Sequence, residues 1–124
     1  MILDIFILGA AKPVAGESPV ALKRIGHTTR VIDWQLDSFN VLSYNQINFL
    51  GGYHIEDIVR HYPQINYTLI KDWQTKPVLH SLLQAPLEET AALITYADTI
   101  FHQDIIKQLA TSDADISVAI DLNY

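Results

Sequence analysis

Ile2-Leu-Asp-Ile-Phe-Ile-Leu8, followed by Gly9-Ala10-Ala11, is the strongest structural signal in this chain. An apolar run of this length with a single charged residue predicts a strand that is buried on both faces of a sheet. The small residues after it leave backbone N–H groups uncovered, so that they can approach a phosphate. Such a strand and turn open many mononucleotide-binding α/β domains, and they also open α/β proteins whose first loop binds nothing.

Segments with strand character alternate with segments of helical spacing along the rest of the chain. Further strands are expected at residues 46–50, 65–70, 90–96 and 114–120, and helices at residues 30–42, 55–62 and 102–110, with another after Pro77. This alternation predicts a mainly parallel sheet with helices on both faces, a three-layer α/β/α fold. Since no linker, repeat or low-complexity tract interrupts it, residues 1–124 are expected to form a single domain.

Finer predictions concern the ends and faces of the helices. Thr28 or Thr29 is expected to cap the first helix, with Trp34 at the edge of the core and Asp33 on the polar face. The inward residues of this helix are expected to be Ile32, Leu36 and Phe39. Those of the second helix are expected to be Ile55, Ile58, Val59 and Tyr62. Thr75 is a candidate cap for the helix after Pro77, and Trp73 before it could anchor its loop or stack on a base or sugar.

Composition and charge narrow the classes of function. Among 124 residues, 49% are hydrophobic and 18% are charged, which favours a folded globular domain. The absence of cysteine excludes disulfides and thiolate sites, and no apolar run is long enough to span a membrane, so a soluble, cytoplasmic protein is expected. The net charge of −6 argues against nucleic acid and anionic membranes as partners. The first 35 residues hold four of the eight basic residues and only three of the fourteen acidic ones. A phosphate would therefore be repelled least near the first loop, and a divalent cation would supply further compensation.

The strand ends are the expected position of a ligand, because ligands of parallel sheets bind beyond the carboxyl ends of the strands. Three such ends contain small or acidic residues: Gly9-Ala10-Ala11, Gly51-Gly52 and Ala97-Asp98. The Asp98 carboxylate is a suitable Mg²⁺ ligand, since Mg²⁺ commonly combines one or two carboxylates with substrate phosphates and water. Taken alone, Asp98 fits a turn residue or a helix cap as well. The five histidines lack the close spacing of a zinc site.

Four segments, in this arrangement, carry a resemblance to a known family. They read Leu8-Gly-Ala-Ala11, Ser18-Pro-Val-Ala-Leu-Lys-Arg-Ile25, Asp33-Trp-Gln-Leu-Asp-Ser-Phe39 and Thr95-Tyr-Ala-Asp-Thr-Ile-Phe101. Together they resemble the sugar-phosphate nucleotidyltransferase family, whose members join a nucleoside triphosphate to a sugar 1-phosphate or similar phosphate acceptor and release pyrophosphate. The resemblance implies a Rossmann-like sheet of the nucleotide-diphospho-sugar transferase type and Mg²⁺ as cofactor. It also implies that the chain corresponds to the N-terminal, nucleotide-binding part of a longer enzyme.

The resemblance further implies roles for individual residues. The implied nucleotide contacts are Leu8, Gly9, Ala10, Ala11 and Lys12, with Thr75 and Ser81 near the base and ribose and Asp98 as the Mg²⁺ ligand. The family's Gly-Thr-Arg turn is replaced here by a segment that begins at Lys12, and its Pro-Lys pair reads Pro19-Val20. Lys23 or Arg24 is then the candidate catalytic cation for the phosphates.

Three functions are consistent with these observations. The first is a nucleotidyltransferase, or its nucleotide-binding portion, acting on a nucleoside triphosphate and a phosphorylated small-molecule acceptor. The second is a non-catalytic relative that binds a nucleotide or nucleotide-sugar and regulates or scaffolds. The third is an unrelated α/β interaction module that pairs with another chain. The identity of the base, the acceptor and the formation of a homo-oligomer stay open.

Overall fold

Four parallel strands form the main sheet of the computed structural model, which describes residues 3–10, 18–86 and 91–120. The strands are β1 (Leu3–Gly9), β2 (Arg24–Ile25), β3 (Thr29–Arg30), β4 (Tyr44–Gly51), β5 (Asn66–Leu69) and β6 (Ala91–Tyr96). The helices are α1 (Val31–Ser38), α2 (Ile55–His61), α3 (Val78–Leu82) and α4 (Gln103–Ala110), with 3-10 turns at Val20–Leu22 and Phe39–Val41. The main sheet has the order β5-β4-β1-β6, and β2 and β3 form a separate antiparallel hairpin.

The first strand lies inside the main sheet, where it pairs with β4 on one side and β6 on the other. All residues of β1 from Leu3 to Leu8 are buried. A strand that is covered on both faces excludes the usual alternation of apolar and polar residues, which explains the continuous apolar run. The exception is Asp4, whose Oδ1 accepts a hydrogen bond of 3.1 Å from the Asn45 side chain. The prediction of a buried first strand is confirmed.

Helices cover both faces of this sheet. On one face the core combines strand residues with one residue from each of three helices: Ile5, Ile7, Phe49, Ile32 of α1, Ile58 of α2 and Ile106 of α4. On the other face Phe6, Leu8 and Leu50 pack together, with Leu82 of α3 against them. Each fully buried aliphatic or aromatic side chain contributes roughly 1.5–3 kcal/mol, so these two cores hold the layers together. The predicted α/β fold with a parallel, Rossmann-like sheet between helices is confirmed.

The first helix does not begin with either of the threonines before it. Thr28 lies in the hairpin turn and Thr29 lies in β3 opposite Ile25, so the prediction that one of them caps α1 is wrong. Pairing within the hairpin holds both residues short of the helix. The N-cap position belongs to Arg30, whose backbone N–H donates to Asp33 Oδ2 at 2.8 Å. The Asp33 carboxylate therefore satisfies a backbone donor at the start of the helix, as the acidic member of a capping box does.

The Asp33 carboxylate also connects α1 to the chain after α2. The buried hydroxyl of Tyr62 donates a hydrogen bond to Asp33 Oδ1. Burial raises the pKa of Tyr62, and the hydrogen bond to Asp33 raises it further. The helix face that was expected to be polar is thus divided, since Asp37 is exposed whereas Asp33 is half-buried between two parts of the fold.

Substitution Asp33→Ala is expected to lower the free energy of unfolding by about 2 kcal/mol, because it removes a helix-capping contact and leaves the buried Tyr62 hydroxyl without its acceptor. Urea denaturation followed by circular dichroism measures the change. The matched control is Asp37→Ala on the same helix, which should stay within about 0.5 kcal/mol of the unsubstituted protein because that side chain is exposed. Equal losses for the two variants would contradict the bridging role of Asp33.

Some residues that were predicted to be buried are exposed. Residues 114–120 do not form a strand, and their alternating apolar side chains are mostly exposed: Ile116 by 84%, Val118 by 74% and Ile120 by 76%. The prediction of a strand there is wrong because alternation produces a strand only where a neighbouring strand pairs with it, and no described strand does. Val59 is also exposed, since the short helix α2 turns Ile58 into the core instead. The other predicted helices and strands correspond to α1 to α4 and to β4, β5 and β6.

Candidate functional site

The bend after β1 and the turn after β6 lie side by side at the carboxyl edge of the main sheet. Leu8 pairs with Tyr96 in register, and the N–H of Ala97 donates to the Leu8 carbonyl at 3.0 Å. Asp98 is the next residue along the chain and is exposed. Its Oδ1 accepts a hydrogen bond of 3.1 Å from the Thr99 hydroxyl. The acidic turn is therefore one residue away from a direct backbone contact with the small-residue bend.

The bend has a packing reason for its glycine. A Cβ atom at Gly9 would lie 2.2 Å from Cζ and 2.6 Å from Cε1 of the fully buried Phe49 ring. The absent side chain therefore makes room for a core residue, in addition to leaving the backbone uncovered. The side chains of Leu8 and Ala10 are buried, so these two residues can offer a ligand only backbone atoms. Ala11 and Lys12, which were predicted to contact the nucleotide, lie outside the described residues.

Two side chains of α1 hold the segment around Asp98. The Gln35 Nε2 group donates to the carbonyl of Tyr96 at 2.8 Å and to the carbonyl of Thr99 at 2.7 Å. The Trp34 Nε1 group donates to the Phe101 carbonyl at 2.8 Å, and the ring lies at the edge of the core as predicted. Sequence reasoning missed Gln35. Its position three residues after the core residue Ile32 marks a polar side chain on the buried face of a helix, which was the available signal.

Aromatic residues surround the neighbouring strand end at Gly51-Gly52. The Trp73 ring packs on Gly52, where a Cβ atom would lie 2.2 Å from Trp73 Cδ1. The Tyr53 ring meets Trp73 edge-on with 5.5 Å between ring centroids, and it stacks on His54 at 4.2 Å. Trp73 is half-buried against the second core, so of its two predicted roles the structure supports the loop anchor.

The loop that carries Trp73 is fastened at Asp72. Gln84 donates to Asp72 Oδ1 at 3.0 Å, and His80 Nε2 lies 3.1 Å from Asp72 Oδ2. The hydrogen bond from Gln84 is the main reason that the pKa of Asp72 lies below its usual value, and His80 lowers it further. This pair of contacts joins the loop to α3 and to the turn after it.

Thr75 and Ser81, the residues implied near the base and ribose, lie in this same loop and helix. Thr75 is exposed, and its hydroxyl donates to the Asp72 carbonyl at 3.5 Å. The N-cap position of α3 is Pro77, so the prediction that Thr75 caps this helix is wrong. Because the cap lies two residues further on, the Thr75 hydroxyl faces the preceding turn instead. Ser81 is buried in α3, next to the core residue Leu82.

The two candidate phosphate-binding cations lie on the segment that leads into α1. Lys23 is exposed, and its carbonyl accepts a hydrogen bond of 2.9 Å from the N–H of Val31. Arg24 belongs to the hairpin, where its Nη1 donates to the His27 carbonyl at 3.1 Å. In the part of the chain that the structure describes, no hydrogen bond or ion pair joins either side chain to the bend or to Asp98.

Other features of the described residues do not form a competing site. Among residues 3–10, 18–86 and 91–120, no group of three or more histidine or acidic side chains could hold a metal ion by itself. A groove of about 380 Å³ opens at the opposite end of β4, beside Tyr44, Asp37 and Gln64. None of the described helices has the length and apolar character needed to cross a membrane.

Comparison with known proteins yields one distant relative of stated activity. No protein-family model matches the chain. Over 106 aligned residues the chain is 22% identical to the CTP:phosphoglutamine cytidylyltransferase of Campylobacter jejuni subsp. jejuni serotype O:2. The alignment covers 77% of this chain and 42% of the relative, so the chain spans less than half the length of the protein it matches. The chain is therefore distantly similar to a nucleotidyltransferase.

Proposed function

We propose that this chain is the nucleotide-binding portion of a nucleotidyltransferase that transfers a nucleoside monophosphate from a triphosphate to a phosphorylated small molecule. The observation that carries the proposal is the contact between the Leu8–Ala97 backbone pair, which brings the exposed Asp98 beside the Gly9 bend. The similarity to a cytidylyltransferase favours CTP as the nucleotide. It also favours a phosphorylated metabolite as the acceptor.

The donor set at this edge fits Mg²⁺. Asp98 offers a hard, exposed carboxylate oxygen, and Mg²⁺ sites of nucleotide enzymes commonly contain one or two protein carboxylates completed by phosphates and water. When bound, Mg²⁺ would neutralise part of the triphosphate charge. Asp98 is therefore the residue proposed to hold it. A single protein carboxylate suffices only while the nucleotide is present, so metal and nucleotide should bind together.

The transfer itself requires the chain to position groups and compensate charge. An oxygen of the acceptor phosphate forms a bond to the α-phosphorus while the bond from that phosphorus to the bridging oxygen breaks, and pyrophosphate leaves. Backbone N–H groups of the bend are placed to donate to phosphate oxygens, and Lys23 or Arg24 would supply positive charge beside them. In a protein with a net charge of −6, those cations and the metal provide the attraction for a polyanion.

A non-catalytic nucleotide-binding relative is the second candidate function. It is favoured by the position of Arg24, whose guanidinium donates to the carbonyl of His27 within its own hairpin. A site that lacks a cation on the phosphates can still bind a metal–nucleotide complex but loses stabilisation of the transferring group, at a cost of roughly 100- to 1,000-fold in rate. Nucleotide binding without pyrophosphate release in the presence of a phosphorylated acceptor would identify this function.

Titration calorimetry with CTP, UTP, ATP and GTP, each with and without Mg²⁺, tests the proposal. We expect CTP to bind, with an affinity at least about tenfold higher when Mg²⁺ is present, because the cation joins Asp98 to the phosphates. Cytidine is the matched control, since it keeps the base and ribose but has no phosphate for the metal. Absence of heat with all four triphosphates, together with an unchanged melting temperature, would exclude nucleotide binding by this chain.

A further inference from the structure

One amide group of α1 spans the turn that contains Asp98. The Gln35 Nε2 group donates to the carbonyl two residues before Asp98 and to the carbonyl one residue after it, at 2.8 and 2.7 Å. Because both neighbours are carbonyl oxygens, which only accept, the orientation of the amide is determined by its surroundings. Gln35 is fully buried, so water does not compete for these two bonds.

The amide is also incompletely satisfied, which argues against a purely stabilising role. Its Oε1 atom is buried and has no hydrogen-bond partner among the described residues. A buried acceptor without a partner costs free energy, and an apolar side chain at this inward position would avoid that cost. Such local costs are characteristic of residues that are kept for a function, and here the donating half of the amide acts on the Asp98 turn.

Few other contacts hold the turn. The backbone contributes a hydrogen bond of 3.2 Å from Thr99 N–H to the Tyr96 carbonyl, and one of 3.0 Å from Ala97 N–H to the Leu8 carbonyl. Trp34 holds the chain at Phe101, but this indole is partly exposed and its hydrogen bond competes with water. The two Gln35 bonds are thus the side-chain contacts that set the separation of Tyr96 and Thr99.

We propose that Gln35 is a positioning residue that holds the Asp98 turn in its Mg²⁺-binding arrangement, an inference that rests on the proposed function. Gln35 touches neither metal nor nucleotide, and it acts through Asp98 by fixing the backbone on both sides of that residue. Groups that orient metal ligands in this indirect way usually change metal affinity by about 10- to 100-fold when they are substituted.

The test uses Gln35→Met, which keeps the length of the side chain and removes both donors. We expect the dissociation constant for CTP in the presence of Mg²⁺ to rise about tenfold, and the constant measured without Mg²⁺ to stay unchanged. The matched control is Gln108→Met on the exposed face of α4, which should alter neither constant. In combination with Asp98→Asn, Gln35→Met should have no further effect, because the carboxylate on which it acts is gone.

Several outcomes would overturn the inference. They are an equal loss of CTP affinity with and without Mg²⁺, additivity of Gln35→Met with Asp98→Asn, or a folded Gln35→Met variant with unchanged Mg²⁺-dependent affinity. Gln35→Asn, which keeps the amide but shortens its reach, serves if the methionine variant does not fold. If neither variant folds, Gln35 is a packing residue and the inference is wrong.

Native-state hydrogen exchange separates this inference from the proposed function. Gln35→Met should accelerate exchange of the Ala97 and Thr99 amides at least about tenfold while leaving Phe49 in β4 unchanged, because only the turn loses contacts. Uniform acceleration or none at all would contradict the positioning role. If the unsubstituted chain binds no nucleotide, the proposed function fails, and the exchange rates still decide whether Gln35 holds the turn.

Discussion

Substitution Gly9→Ala is expected to destabilise the fold by about 3 kcal/mol, although it adds only one methyl group. The new Cβ atom would lie 2.2 Å from Cζ of Phe49, closer than any non-bonded carbon pair tolerates. The Phe49 ring cannot move aside easily, because it is fully buried between the sheet and the helices that cover it. Urea denaturation followed by circular dichroism measures the loss.

A double-mutant cycle identifies the cause of this loss. Phe49→Leu alone should destabilise through the cavity it leaves, but in the Gly9→Ala chain the smaller side chain makes room for the added methyl group. The combined variant should therefore be more stable than the sum of the two separate changes predicts, by about 1 kcal/mol or more. Strict additivity, or a Gly9→Ala variant as stable as the unsubstituted protein, would show that Phe49 is not what requires a glycine.

The glycine illustrates what can be predicted from the sequence and what cannot. The apolar run and the small residues after it predicted a central strand and a bend, because a local pattern suffices to identify a strand that is buried on both faces. The reason for Gly9 depends on Phe49, which lies on the neighbouring strand β4. A contact between residues so far apart leaves no local pattern, so the sequence suggested only the approach of a phosphate.

The candidate site shows the same division. Asp98 and the Gly9 bend could be singled out because each follows a strand, and parallel strands end at a common edge. Gln35 lies 61 residues from its acceptor Tyr96, and its role follows from helix packing that the sequence pattern does not specify. Residues 114–120 show the reverse error, since their alternation of apolar side chains predicted a strand for which no described neighbour provides pairing.

Substitution Asp98→Asn is expected to have the largest effect on ligand binding. Loss of the carboxylate should raise the dissociation constant for CTP in the presence of Mg²⁺ by at least about 100-fold, because even residues that only orient metal ligands cost about 10- to 100-fold. The change corresponds to about 2.7 kcal/mol. Asparagine keeps the shape of the side chain, and the exposed position leaves the stability of the fold within about 0.5 kcal/mol of its original value.

The sign of the effect without Mg²⁺ makes this test specific. In the absence of a cation, a carboxylate beside a triphosphate repels it, so Asp98→Asn should bind metal-free CTP as tightly as the unsubstituted chain or more tightly. The control Asp113→Asn makes the same change of charge at an exposed residue beyond α4 and should leave both constants unchanged. A loss of affinity that is equal with and without Mg²⁺ would mean that Asp98 contacts the nucleotide directly or supports the fold. Unchanged binding in both conditions would mean that the metal, if it takes part, is held elsewhere. Only opposite responses in the two conditions identify Asp98 as the residue through which a cation attracts the phosphates.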